Sequence, residues 1–511
     1  MYIYFRTNFS KKLGLGHFSR CMRLYNYFEK KGHNCQIILD KPSNIDNFFL
    51  STHKIKIKYL YENFNFKNQI LDANYFLKTT RKQGIVFVDD YRFDNKWEEK
   101  IFKFHKKVVV IEDLNNKKHF SNFIVNSNPK YNYSQLYTNL NLNSKTKLLL
   151  GTKFSLLKSK KEKEIKNKNI TFYFGGSGKL NHFVHIIKNL KKKIKNKIFI
   201  ISGPLSNNKK ILSEIENKKG IKVFYNVNNL DKILCKTSLL ISSSGMISLE
   251  ASRYKIPSIL FQVENNQLVD SKYLEEIGLL FNLKKKHLND KDGIIKLIIN
   301  ILNNFKEIKY LVNNSNTVDG KGIGRIYNNI FYKRKIKIKK KMDKKINLSK
   351  NRQLITINDR AINSYYSARN LFINRKNSNS NNKIDILSHY NWWLENKKEI
   401  KVLKKNYIDL LFIKNEYFKY KKLDICINGW IKNDSELNGL DVIWSLKKNI
   451  HDIKGDNKKM IIFGIAKKNN KFANYHTKYL GYKIYDFQNS KINSFIKKNI
   501  KNIKNTNIYI M

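Results

Sequence analysis

"MYIYFRTN" (residues 1–8) and, close behind it, "LGLGHFSRCMRLYNYF" (residues 13–28) decide how this chain is read. The first run is apolar and aromatic and then turns polar, which predicts a buried β-strand; the second predicts a glycine-rich turn opening a helix. A helix starting there aims unpaired backbone N–H groups, the imidazole of His17 and the guanidinium of Arg20 at one small volume. Such a volume suits a phosphate with a reaction beside it. A plain strand–turn–helix corner, with two glycines for tightness and a solvated His and Arg, accounts for the same stretch equally well.

Working outward, the strand-then-helix rhythm continues through roughly 330 residues. "CQIIL", "GIVFVDD", "KKVVVIED" and "NFIVNS" read as further buried strands, several with helical segments between them. After a connection near "LLLGTKFSLL" the pattern restarts with "ITFYFGGSG", "KIFIISG", "IKVFYNV", "SLLISSSG" and "IPSILFQ". These alternate with "HFVHIIKNLKKKI", "NLDKILCKT" and "MISLEASRY". Such alternation predicts parallel sheets with right-handed crossovers. Two successive rounds predict an α/β chain of two Rossmann-like halves facing a cleft, residues 1–150 and 151–329. Ligands of such sheets bind beyond the carboxyl ends of the strands. Five loops stand there: Gly14 and Gly16, "DDYRFD" (89–94), "EDLNNKKHF" (112–120), "GGSGK" (175–179) and "SSSGMISLE" (242–250).

The lysine-dense stretch 330–350 reads as a basic linker. Residues 351–511 form a third unit with a different rhythm, in which "YIDLLFIKNEYF" and "KLDICINGWI" are predicted to be adjacent antiparallel strands.

Composition narrows the function classes. The 511 residues carry 100 Lys+Arg against 40 Asp+Glu, a net charge of +60, with 41% hydrophobic and 13% aromatic residues. That is enough apolar material for real cores. The basic excess is mostly lysine scattered among Asn, Ile, Phe and Tyr, the residues an AT-rich genome over-supplies. A nucleic-acid binder would gather its charge, often as Arg, on one face with aromatics to stack bases. No specific nucleic-acid partner is expected; a polyanion-binding protein is the alternative from another class. Cys21, Cys35, Cys235 and Cys426 form no CxxC pair, so neither a metal site nor a disulfide framework is expected. Without an N-terminal apolar segment or a membrane-length apolar run, a soluble, cytoplasmic protein is expected.

Each polar loop has a chemical use and an ordinary one. "GGSGK" lacks Walker A spacing, yet successive N–H groups at Gly175, Gly176 and Ser177 can cradle a diphosphate; it could equally be a tight turn. Ser244 and Gly245 end a strand, and Glu250 lies in the helix that follows. A carboxylate there can accept both hydroxyls of a ribose, unless it is a surface glutamate. Asn266 and Gln267, in "VENNQ", could bind uracil, ribose or sugar hydroxyls, or simply cap a turn.

Together, "RTNFSKKLGLGHFSRC", "VDDYRFD", "GGSGK", "SSSGMISLEASRYKIPS" and "ENNQ" resemble the nucleotide-sugar hydrolases of pseudaminic acid biosynthesis, over roughly the first 330 residues. Those enzymes hydrolyse UDP-2,4-diacetamido-2,4,6-trideoxy-β-L-altropyranose and share the GT-B fold of the glycosyltransferase that makes lipid II. The resemblance implies that His17 orients or deprotonates a water that inverts the anomeric carbon, without metal or cofactor. It implies that UDP sits mainly on the second half, at Gly175, Gly176, Ser177, Ser244, Gly245, Glu250, Asn266 and Gln267. Arg20 would hold the loop or the diphosphate, and Asp89 and Tyr91 would contact the substrate. "GGSGK" departs from the family at Gly178, where an acidic or polar residue is more usual. A GT-B glycosyltransferase using a UDP-amino sugar is the alternative within enzymes.

The third unit resembles the GNAT superfamily of N-acetyltransferases, on "ARNLFINRKNS", "ILSHYNWW" and "NNKFANYHTKYLGYKIYD". The resemblance implies acetyl-CoA as cosubstrate, with Asn438, Gly439 and Asn470 near it. The usual glycine-rich pyrophosphate loop is reduced to "ELNGLD" (436–441), where Asp441 places a negative charge; Ala473 stands where the family has serine. A fusion of the two would acetylate the 4-amino group of a UDP-sugar and then remove UDP, alongside other enzymes of the same pathway.

Overall fold

The computed structural model describes residues 1–9, 14–40, 55–60, 68–128, 133–158, 169–227, 229–264, 271–316, 318–332, 352–378, 381–397, 400–405, 408–456, 459–488, 492–500 and 503–511. The chain divides into two compact units, one of Met1–Ile299 with Phe305–Ile336, the other of Asn300–Asn304 with Lys337–Met511. Most of the predicted basic linker, 333–350, lies outside the described residues, as do Asn266 and Gln267.

The first unit holds two wholly parallel sheets. One is built from β1 (Tyr2–Thr7), β2 (Asn34–Leu39), β3 (Ile57–Tyr59), β4 (Gly84–Asp89), β5 (Lys107–Ile111), β6 (Phe123–Asn126) and β7 (Lys147–Leu150), in the order β3-β2-β1-β4-β5-β6-β7. The second is built from β8 (Asn169–Tyr173), β9 (Ile198–Ser202), β10 (Ile221–Tyr225), β11 (Thr237–Ser243), β12 (Ser258–Gln262) and β13 (Phe281–Lys284), in the order β10-β9-β8-β11-β12-β13. Both orders reverse direction next to their first strand, the switch point at which such sheets open a crevice. β7 occupies the stretch read from sequence as a connection, because its apolar residues are too few to announce a strand on their own.

The sequence dictates these strands through continuous apolar runs. All six residues of β4 are buried, as expected of a parallel strand covered on both faces. The helix Gly16–Glu29 buries Phe18, Cys21, Leu24, Tyr25 and Phe28, the i, i+3, i+4 stripe of an amphipathic helix. Phe28 packs edge-on to Phe87 of β4 at 5.3 Å, and burial of such a ring is worth about 1.5–3 kcal/mol.

The helix Gly322–Phe331 returns from the second sheet to the first. Ile323, Ile326 and Ile330 join the core beneath Phe5, Leu24 and Phe28, and the Tyr327 ring lies 5.3 Å from that of Phe28. Gly322 permits this approach: a Cβ there would stand 2.2 Å from the Ser155 carbonyl oxygen.

The second unit is one sheet of seven strands: β14 (Arg352–Thr356), β15 (Ile400–Lys405), β16 (Ile408–Tyr420), β17 (Leu423–Lys432), β18 (Ile461–Lys467), β19 (Lys483–Ile484) and β20 (Thr506–Ile510), ordered β14-β15-β16-β17-β18-β20-β19. β16 and β17 are antiparallel neighbours, joined through Lys421 in the left-handed region at φ 54°. Every pairing is antiparallel except β17 with β18. That parallel ladder runs from Ile425↔Ile461 to Asn428↔Gly464 and stops, while both strands continue, so they part beyond Asn428. No helix among the described residues is long and apolar enough to cross a membrane.

Candidate active site

A cavity of about 820 Å³ lies in the first unit, at the carboxyl ends of both parallel sheets. Gly14, His17, Tyr91 and Asp113 line it from the first sheet, and Gly175, Ser177, Ser244 and Glu250 from the second. All five loops singled out by their position after strands therefore converge on one volume.

At its floor, the helix Gly16–Glu29 presents His17 and Arg20 one turn apart, above two carboxylates supplied by the ends of β4 and β5. His17 Nδ1 stands 2.6 Å from Asp89 Oδ1. Arg20 donates from Nε and Nη2 to the two oxygens of Asp89 at 2.9 and 2.7 Å, and from Nη1 to Asp113 Oδ2 at 2.6 Å. The Tyr91 hydroxyl donates to the same Asp113 oxygen at 2.8 Å, and its ring packs edge-on against His17 at 4.4 Å. Arg20 Nη2, which only donates, lies 3.1 Å from His17 Nδ1, but the shorter contact is to a carboxylate oxygen, which only accepts, and that contact favours the proton on Nδ1. Nε2 is then the lone-pair nitrogen at the cavity that His17 lines.

The electrostatics hold this arrangement fixed. Burial works against the Arg20 cation, but Asp113 and Asp89 outweigh it and keep the guanidinium charged far above its ordinary range. Burial likewise raises the Asp113 carboxyl, and Arg20, His17 and the Tyr91 hydrogen bond more than reverse it, leaving it below the usual carboxylate range. One role implied by the resemblance changes as a result. Asp89 is fully buried, with both oxygens engaged, and does not line the cavity; it meets His17 instead. Arg20 is engaged with the two carboxylates and also lines the cavity.

The opposite wall is glycine-rich because its backbones are crowded. A Cβ on Gly176 would lie 2.7 Å from Leu15 Cδ1, and one on Gly178 only 2.0 Å from the Phe174 carbonyl oxygen. Gly178, the departure from the family pattern, is therefore demanded by the turn itself. Beyond it the helix Met246–Arg253 begins at Gly245 with no side-chain cap. Ser244 Oγ and Glu250 Oε2 are buried without a hydrogen-bond partner among the described residues. Glu250 is buried rather than a surface residue; Arg23 Nη2 pairs with its Oε1 at 3.0 Å, and Arg253 Nη1 stands 3.9 Å from Oε2. Leaving such atoms unsatisfied costs about 1–3 kcal/mol each, which a ligand hydroxyl would recover.

Three contributors were not singled out from sequence. Asp113 follows its strand by two residues and obeys the same strand-end rule as Asp89. Arg23 lies one turn after Arg20, a spacing that marks a shared helix face. Tyr173 gave no signal, since it reads as one more residue of β8; burial pushes its hydroxyl up to about 12, so it stays a neutral donor at the cavity wall.

The second unit has its own cavity of about 700 Å³, where β17 and β18 part. Gly429, Trp430, Gly464, Phe472 and Tyr482 are among its lining residues, as are Asn438, Gly439 and Asn470. Asn438 caps the helix Gly439–Asp456 by accepting from Asp441 N–H at 2.9 Å, and Asn470 caps the helix Lys471–Tyr479 by accepting from Ala473 N–H at 3.1 Å. Asp441 does not project into the cavity. It is fully buried and paired with Arg352 at 2.7 Å and Lys405 at 3.4 Å, so the negative charge expected at the helix start is neutralised from below.

Comparison with known proteins places part of this chain. Residues 170–326 match the family model "Glycosyltransferase family 28 C-terminal domain". The uncharacterized protein MJ1062 of Methanocaldococcus jannaschii is 27% identical over 317 residues; the match takes in 56% of this chain and 60% of that protein's length. Among solved structures, Acinetobacter baumannii MurG aligns over 64% of this chain and 99% of its own, with TM-score 0.43 and 11% identity. An S. aureus MnaA–UDP co-structure aligns over 65% and 96%, with TM-score 0.46 and 14% identity. A GNAT-family acetyltransferase from Bacillus anthracis aligns over 32% and 96%, with TM-score 0.26 and 11% identity.

Proposed function

We propose that the first unit is a nucleotide-sugar enzyme that hydrolyses a UDP-diacetamido sugar of the UDP-2,4-diacetamido-2,4,6-trideoxy-β-L-altropyranose type to UDP and the free sugar. The observation that carries this reading is the pairing of His17 with buried Asp89 across a cavity from a glycine-rich wall with unsatisfied hydrogen-bonding atoms. The glycosyltransferase family match covers the half that bears this wall, and supports a nucleotide-sugar ligand there. Glu250 Oε2 and Ser244 Oγ are apt acceptors and donors for ribose and phosphate, and the uncapped helix start at Gly245 favours an anion.

In this mechanism His17 Nε2 takes a proton from water as the water oxygen bonds to the anomeric carbon. The bond from that carbon to the phosphate oxygen breaks, and its electron pair leaves with UDP. Asp89, accepting from Nδ1–H, stabilises the imidazolium that forms. N–H groups at residues 175–177 and 245–246 offset charge developing on the leaving group. Hydrolysis needs only a positioned water, whereas a transferase needs an acceptor, and the assay separates the two. UDP release is measured from the UDP-sugar with no acceptor present, for the parent and for His17→Ala. Release by the parent, lowered about 100-fold or more in the variant, is the expected result. No release without an added acceptor sinks the hydrolase and favours the transferase.

For the second unit we propose acetylation of the 4-amino precursor by acetyl-CoA. The support is the single parallel pairing in an otherwise antiparallel sheet, its parting beyond Asn428, and a cavity in the fork. The residues fit the cosubstrate: the open backbone edges of β17 and β18 can flank a pantetheine arm, and the one acidic residue of the "ELNGLD" helix start that could repel a diphosphate from within the helix is buried and paired. Acetyl-CoA would supply the acyl group; an amine nitrogen bonds to the acetyl carbon as the carbon–sulfur bond breaks, the electron pair leaves on the CoA sulfur, and the amine proton ends there as the free thiol. Acetyl-CoA consumption dependent on the 4-amino UDP-sugar tests it, and none with folded protein overturns it.

A further inference from the structure

Arg23 lies two residues past the stretch "RTNFSKKLGLGHFSRC" that carries the resemblance, and the proposed hydrolysis gives it no part. It follows His17 and Arg20 at three-residue steps, so the three stand on one face of the helix Gly16–Glu29, and all three line the cavity. With a rise of about 1.5 Å per residue, Arg23 stands about 9 Å along the helix axis from His17.

Its guanidinium is committed on two sides. Nη1 donates to the Leu156 carbonyl oxygen at 2.9 Å, and Nη2 pairs with Glu250 Oε1 at 3.0 Å. Leu156 belongs to the core of the first sheet, and Leu157 beside it to the core of the second. Glu250 stands on the helix Met246–Arg253 of the second half. One side chain therefore joins the helix that carries His17, the segment that crosses between the halves, and the carboxylate. The helix of Glu250 itself offers less: Arg253 Nη1 stands 3.9 Å from Oε2, beyond hydrogen-bonding distance, and Oε2 has no hydrogen-bond partner among the described residues. The side chains of Arg23 and Glu250 are 17% and 6% exposed, so Arg23 supplies the near cation that compensates a buried carboxylate and fixes its orientation. A pair that only fastened the two halves would not need to line the cavity. Here both partners line it, and one carboxylate oxygen is left over.

We propose that Arg23 is a positioning residue for the nucleotide: it holds Glu250 by Oε1 and so presents the carboxylate to the ribose. A side chain of the first half thereby sets how strictly the second half demands ribose hydroxyls. This rests on the reading of Glu250 as the ribose acceptor. Without the guanidinium the carboxylate is free to turn, and its demand for a donor at one point in the cavity fades. A hydrogen bond to a charged group held in place is worth about 10- to 150-fold in affinity.

The test is calorimetric titration of the full-length protein with UDP and with 2′,3′-dideoxy-UDP, which lacks both ribose hydroxyls. The parent should prefer UDP by about tenfold or more. Arg23→Ala should cut that preference to about threefold or less, chiefly by weakening UDP. Because Arg23 acts through Glu250, Arg23→Ala with Glu250→Gln should show the same preference as Glu250→Gln alone. Where Arg23→Ala melts too low to titrate, Arg23→Gln keeps an amide donor for the Leu156 carbonyl but no charge for Glu250, and should lose the preference likewise. A preference undiminished in the folded Arg23 variants overturns the proposal, including the case where both nucleotides weaken equally, as a merely structural pair would give; the ribose reading of Glu250 then stands. If the parent binds UDP without preferring it to the dideoxy compound, the ribose reading falls and takes Arg23 with it. If the parent binds neither, the nucleotide reading of the first unit falls as a whole.

Discussion

Asp89→Asn isolates the step on which the proposed hydrolysis depends. Asp89 is fully buried and accepts three hydrogen bonds, one from His17 and two from Arg20. An asparagine offers one oxygen and one NH2 group. Asp89 Oδ1 meets both His17 Nδ1 and Arg20 Nη2, so where the NH2 takes the Oδ1 place, with the oxygen under Nε, it demands an acceptor at Nδ1. The ring proton then moves to Nε2, and that nitrogen can no longer take a proton from water. A wrong tautomer of this kind lowers turnover about 10⁴-fold in hydrolases that use the same pair. The substitution should leave KM nearly unchanged, because Asp89 does not reach the cavity. Arg20 keeps Asp113 at 2.6 Å, so the fold should lose only about 1–3 kcal/mol and survive. Asp113→Asn is the control: it disturbs Arg20 and Tyr91 but not His17 directly, and should cost about tenfold or less. Saturating rates of UDP release and thermal melts of both variants provide the readout. A folded Asp89→Asn enzyme within about threefold of the parent, or an Asp113→Asn enzyme as slow as Asp89→Asn, would refute the tautomer argument.

Glu250→Gln removes the charge and leaves a donor or an amide oxygen where buried Oε2 has no hydrogen-bond partner, and should weaken UDP binding about tenfold or more in a titration. Unchanged affinity would move the ribose elsewhere. Gly178→Ala puts a methyl group 2.0 Å from the Phe174 carbonyl oxygen, so the turn must break; loss of UDP binding at little cost to the far sheet edge is expected, read by titration and melting. His105 accepts from the Gly84 N–H and meets the Thr80 hydroxyl, and burial pulls its pKa down to about 4 from 6.5. The folded state thus favours the neutral ring: the stability it contributes is complete above pH 6.5 and is lost as pH falls towards 4, by up to about 3 kcal/mol. Denaturant midpoints between pH 7 and 4 should fall more steeply for the parent than for His105→Asn; equal slopes would count against it.

The strand-end rule made most of the cleft legible, because in a parallel sheet sequence order and spatial position are tightly linked. Gly14, His17, Tyr91, Gly175, Ser244 and Glu250 each follow a strand, and each lines the same cavity. What the rule could not convey was depth. Asp89 ends β4 and Tyr91 stands two residues on, yet one lies beneath His17 and the other against its ring. Tyr173 escaped notice because a strand's apolar alternation looks the same whether its last residue meets core or cleft. Asp441 misled for the same reason: a carboxylate at a helix start reads as exposed until Arg352 and Lys405, from strands distant in sequence, are seen beneath it.

The charge pattern resolves once the two basic residue types are separated. The excess behind the +60 charge is mostly lysine, and lysine is a flexible point charge that tolerates solvated positions. At several buried carboxylates of the first unit this chain uses arginine, whereas buried Asp359 of the second unit is held by Lys397. Arg20 bridges Asp89 and Asp113, Arg6 bridges Asp72 and Asp40, and Arg23 holds Glu250 while donating to the Leu156 carbonyl. Each needs a planar fork that an ammonium cannot provide. The three arginine sites are thus set by geometry, while most of the lysine excess occupies positions where one cation serves as well as another. On that ground the surface charge carries little information about partners, and the scarce arginine–carboxylate pairs carry most of what the sequence says about chemistry.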